Sequence, residues 1–179
     1  MSAIAKSIPA NSEQKEDSGN RRAEALADRI EEGAALLAGF AEQLSEAEWA
    51  APVSATDLRP VGIIVHNVAS VYPIEIEVAR AIAGGNAVTD VTWEAIADLN
   101  AKHALEQVGI NKADTLELLR RNSREASAAV RAFTDAELDQ AAPFSLSFGA
   151  PVTAQFVVED HALRHSWHHL ARIRKALGR

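Results

Sequence analysis

The chain has 179 residues, 47% of them hydrophobic and 24% charged, which fits one globular domain with a single real core. A formal net charge of −7 lacks the basic footprint that phosphate neutralisation requires, so a small molecule rather than nucleic acid is the expected partner. With no cysteine there is no disulfide, thiolate ligand or thiol nucleophile, and metal chemistry falls to imidazole and carboxylate.

Residues 1–20 mix Ser, Lys, Glu, Asp and Asn without an apolar core segment, and they read as a disordered or loosely docked tail. No uninterrupted apolar run approaches the ~20 residues that cross a bilayer, so no membrane role is expected and the default location is the cytoplasm. From 21 to about 44, Leu26, Ile30, Gly33, Leu37, Phe40 and Leu44 recur at threes and fours, the helix period. After a loop at 51–54, Asp57 and Pro60 read as the cap and first-turn proline of a second helix. That helix runs to Ala83, stops at Gly84-Gly85, and is expected to bend at Pro73.

Thr92 opens a short accessory helix, 93–108, in the crossover between the second and third long helices. The third begins at Asp114 or Thr115, buries Leu116, Leu119, Ser123, Ala126, Val130 and Phe133, and gives way at Thr134-Asp135 to an irregular acidic stretch. The segment 143–151 reads as a loop or brief extended piece, and a fourth helix covers 153–177. The predicted fold is therefore all-α, a four-helix bundle over 21–179, an architecture that builds its metal sites from inward side chains of different helices.

In the fourth helix Val158, Ala162, His165, His169, Ile173 and Ala176 share one seam, with Leu163, Trp167, Leu170 and Leu177 beside it. His165 and His169, at i and i+4, point the same way. Burying two imidazoles among Val, Ala and Ile costs desolvation twice unless a shared metal or specific partners offset it. His161 with His165 has the same spacing and is an alternative chelate, whereas His168 falls on the polar face. His66 of the second helix lies on a stripe of small residues, Gly62, Ala69, Ser70 and Pro73, which either line a cavity or allow close packing. Three protein nitrogens with a fourth position open are how catalytic zinc is held. The segment His165-Ser166-Trp167-His168-His169 lacks the glutamate that follows the first histidine of a zinc protease, so a peptidase of that type is not expected.

Four segments, 60–69 around His66, 98–103 with Asn100 and His103, 134–139, and 163–174 with the histidine pair, together resemble the DinB-like, YfiT-type metal-dependent enzymes. The resemblance covers nearly all of the chain after the tail. It implies one divalent ion, zinc or nickel, held by His66, His165 and His169 inside a bundle that is commonly a dimer. It also implies a metal-dependent S-transferase or hydrolase, with the ion activating water or a low-molecular-weight thiol cosubstrate. Relatives include the metal-binding domain of mycothiol-dependent maleylpyruvate isomerase, which normally carries a further C-terminal domain.

Asn100 and His103 are candidate catalytic groups. Against that, Asn100 suits a local backbone bond, and His103 is expected to face water. Trp93 and Tyr72 read as packing aromatics rather than a pocket wall. Glu75 and Glu77 follow the proline bend and would partner a ligand if the bend turned one inward, but carboxylates on a long helix are usually a solvated face. The stripe of Leu163, Trp167 and Leu170 packs either within the subunit or across the interface of a homodimer. The competing reading is a non-catalytic ligand-binding or interaction module with structural histidines.

Overall fold

The computed structural model describes residues 21–179, so the tail expected at 1–20 lies outside the described residues. Its long helices are α1 (Arg21–Glu42), α3 (Val61–Ala83), α5 (Lys112–Arg131) and α8 (Arg164–Leu177). Shorter elements connect them: α2 (Glu46–Trp49), α4 (Trp93–Glu106), α6 (Asp135–Asp139), the hairpin strands β1 (Ala141–Pro143) and β2 (Pro151–Thr153), and α7 (Ala154–Val157), which leads through a π-helical turn (Val158–Leu163) into α8. Around the bundle the order is α1, α5, α3, α8, so that α1 lies diagonally across from α3 and α5 across from α8.

The core follows from the apolar periodicity. Leu26, Ile30 and Leu37 of α1, Ile64, Val65, Val68 and Ile82 of α3, and Leu119 and Val130 of α5 are at most 5% exposed. Each such aliphatic side chain contributes roughly 1.5–3 kcal/mol on burial. By length and hydropathy α3 alone among the described residues would suit a membrane span, but more than half of its apolar window is buried among the other helices. Its apolarity serves the core. The stripe of Leu163, Trp167 and Leu170 also packs within the subunit: Leu163 and Leu170 are buried, and the Trp167 indole donates to Arg29 O at 3.2 Å. Trp167 lies so close to Gly33 that a Cβ there would enter the indole.

Several boundaries differ from the sequence expectation, each for a local reason. Pro60, not Asp57, occupies the N-cap of α3, and it makes no side-chain cap bond. Asp57 instead receives Arg59 at 2.7 Å and Arg172 of α8 at 2.9 Å, and these guanidinium partners hold its carboxyl well below the ordinary range. The acidic stretch after α5 is ordered as α6 because Thr134 and Glu137 form a reciprocal capping box, and Ser45 with Glu48 does the same for α2. Ala176, placed on the core seam, is exposed in the last turn of α8.

Gly62 sits where α2 crosses α3, and an added Cβ would land inside the Trp49 indole, itself only 6% exposed. Gly62→Ala is therefore expected to destabilise the protein by about 1–3 kcal/mol through overpacking. The check is a urea titration, and an unchanged midpoint would show that Trp49 can move aside.

Candidate metal centre

Three polar contacts fix α8 antiparallel to α3. The Tyr72 hydroxyl and Ser166 Oγ lie 2.7 Å apart in the core, His165 Nδ1 donates to Glu75 Oε1 at 2.8 Å, and Arg172 reaches Asp57 at 2.9 Å. Rising numbers on α8 thus meet falling numbers on α3. His169, one turn beyond His165, comes to the level of α3 below Tyr72, in the direction of Ser70 and His66. The His165 and His169 ring centroids are 4.9 Å apart, and His168 stands edge-on to His169 at 5.0 Å.

The hydrogen bonds assign which nitrogen each ring can offer. A carboxylate only accepts, so the proton of His165 sits on Nδ1 and its lone pair on Nε2. His66 Nδ1 is 2.8 Å from His103 Nε2 and 3.2 Å from Ser70 Oγ, while the Ser70 hydroxyl donates to the His66 carbonyl at 2.8 Å. Either imidazole can be the donor in the His66–His103 pair, so of these rings it is His165 whose Nε2 is left as the free lone pair. His169 Nδ1 differs, since it is buried with no hydrogen-bond partner.

Burial disfavours the charged form of several of these imidazoles. His169 is pushed down from 6.5 to about 2, by desolvation first and then by the neighbouring His165 and His168. His66 is lowered by desolvation and by His103, His103 by desolvation and Arg59, and His161 and His168 mainly by desolvation. Neutral imidazole is the form that binds metals.

A recess of about 220 Å³ opens beside the histidine pair, lined by Glu75, Asp160, His161, Arg164, His165, His168 and His169. His161 enters it from the π-helical turn, its ring edge-on to Phe144 with centroids 5.7 Å apart. Such wide turns inside a helix occur frequently at functional sites. His66 is not in this lining. Among the described residues, no three His, Asp or Glu side chains already converge as a metal-binding group. The structure therefore brings His165 together with His169, and His66 together with His103.

Two side chains read as bland are engaged here. His103 does not face water but sits half-buried against His66, and Asn100 bonds not to local backbone but to the Asn67 amide, which donates to it at 2.9 Å. Together they hold α4, none of whose residues is fully buried, against α3. Trp93, read as a packing aromatic, is 60% exposed, while Tyr72 is fully buried. Glu75, read as a solvated face, is instead turned inward past Pro73 and bonded to His165. It is the first carboxylate in α3.

Together these features define an all-α bundle with a histidine-rich polar seam between two of its long helices. The fold is that of the YfiT-type, DinB-like four-helix bundle. YfiT from Bacillus subtilis, described as a probable metal-dependent hydrolase with an unusual four-helix bundle topology, superposes with a TM-score of 0.67 at 19% identity, over 97% of this chain and 93% of that one. No family model and no curated protein matches the sequence.

Proposed function

We propose that this protein binds one divalent transition metal through His66, His165 and His169 and uses it to hydrolyse a small molecule. The observation that carries the reading is His169 Nδ1, buried and unpartnered beside a histidine whose Nε2 lone pair is left free. A buried polar atom left unpaired costs about 1–3 kcal/mol, and a donor set of neutral imidazoles suits zinc or nickel. The likeness to a structure described as metal-dependent agrees with it.

When bound, such an ion supplies a Lewis acid that lowers the pKa of a coordinated water. The chain's own part is to hold the rings: Glu75 behind His165, and Ser70 with His103 behind His66. Among the described residues the three rings do not converge, so holding one ion with all three would require His66 to approach the pair. The recess then takes the substrate, and its size and polar lining admit only a small, polar one. Because the chain has no cysteine, transfer to a thiol, the second reaction open to such a site, needs an external low-molecular-weight thiol.

Elemental analysis of gently purified protein, beside a His66, His165, His169 triple-alanine variant, tests the reading. The expected result is near one equivalent of transition metal in the wild type and none in the variant. No metal in either, even after zinc or nickel is added, would leave a bundle with structural histidines.

A further inference from the structure

Glu75 has only 11% of its side chain exposed, and one of its oxygens is committed to His165 Nδ1 at 2.8 Å. The other, Oε2, is buried with no partner. Among the described residues no lysine or arginine bonds to it: Arg164, which lines the same recess, instead gives its Nε to the Asp160 carbonyl at 3.0 Å and to the Asp160 carboxylate at 3.2 Å. A buried carboxylate with neither a cation nor a full set of donors is costly, and such groups persist where a positive charge lies within reach. Among the described residues the group it grips is the His165 imidazole, through the nitrogen opposite Nε2.

We propose that Glu75 is the positioning residue for His165: by accepting a hydrogen bond from Nδ1–H it fixes the tautomer and leaves Nε2 free to bind the metal. The proposal rests on reading His165 as a ligand. A carboxylate behind a histidine both orients the ring and strengthens the lone pair on its far side, and loss of such a partner typically weakens metal binding by about 10–100-fold. A carboxylate that merely braced α3 against α8 would do neither.

The test has one readout that needs no metal. Long-range ¹⁵N–¹H correlation spectra of the metal-free protein report which His165 nitrogen carries the proton. Wild type is expected to show Nδ1–H. Glu75→Gln, whose amide oxygen still accepts, keeps it, and Glu75→Leu shifts His165 toward Nε2–H. The second readout is zinc affinity by competition with a chromophoric chelator: about 10–100-fold weaker for Glu75→Leu, with Glu75→Gln in between. Nε2–H in the wild type overturns the proposal without recourse to any variant. So does an unchanged tautomer and zinc affinity in a Glu75→Leu protein with wild-type circular dichroism. If the wild type takes up no zinc or nickel, the metal reading fails, but the spectra still decide whether Glu75 sets the His165 tautomer.

Discussion

His169→Leu is expected to make the metal-free protein more stable and to abolish its uptake of zinc or nickel. The ring nitrogen that is buried and unpaired in the wild type disappears, and an apolar side chain of similar size fills the same space between α3 and α8. Removing a buried unsatisfied polar group recovers about 1–3 kcal/mol. For a chain of this length that raises the melting temperature by about 2–4 °C per kcal/mol. Metal binding is expected to move the opposite way, because His169 is one of the three proposed ligands, and loss of even the partner behind a ligand costs about 10–100-fold. Stability gained where function is lost marks a site kept for chemistry. A destabilised His169→Leu protein would instead mean that the imidazole holds the fold.

The same variant carries a pH signature. Burial lowers the folded-state pKa of His169 from 6.5 to about 2, so the unfolded chain binds the proton more readily. The stability associated with the neutral ring is complete above pH 6.5 and is lost progressively as pH falls toward 2. His66, His103, His161 and His168, all lowered, act in the same direction. Melting temperatures of the metal-free wild type should therefore fall between pH 6.5 and 4, and those of His169→Leu should fall less steeply. Parallel curves would show that His169 is hydrated in solution.

The long helices were legible because each buries one periodic face: every residue of the stripe from Leu116 to Phe133 is buried as its spacing predicts. Gly84, followed by Gly85 at φ 76°, ends α3 for the equally local reason that the chain must leave the helix there. The site was legible only in part. The spacing of His165 and His169 shows that they share a face, but the partners of an imidazole come from other elements, and no periodicity on α8 reveals that Glu75, 90 residues earlier, meets His165. His103 was misread for the same reason: a polar residue on a short, weakly amphipathic helix resembles solvated surface until its fold neighbour, His66, is in place. The π-helical turn was invisible because an inserted residue in a helix changes hydrogen bonding without changing composition.

Pro73 poses the sharpest problem that the sequence raised, and α5 supplies its solution. A proline within α3 has no N–H for the carbonyl four residues back, which is that of Ala69. Asn122 of α5 fills that place, its side-chain amide donating to Ala69 O at 2.8 Å, with the asparagine 7% exposed. The helix consequently runs unbroken from Val61 to Ala83 through the proline. Asn122→Ala in the wild-type background leaves a buried carbonyl unpaired and is expected to cost about 1–3 kcal/mol. In a Pro73→Ala background the restored N–H takes over, and the same substitution should cost under about 1 kcal/mol, a coupling within the range of residues that share one hydrogen bond. Denaturant titrations of the four proteins measure it, and additive effects would show that the Ala69 carbonyl does not depend on Asn122. The turn concerned lies between Ser70, which braces His66, and Glu75, which grips His165. Asn122→Ala is accordingly expected to weaken zinc binding as well, through a residue that touches none of the three proposed ligands.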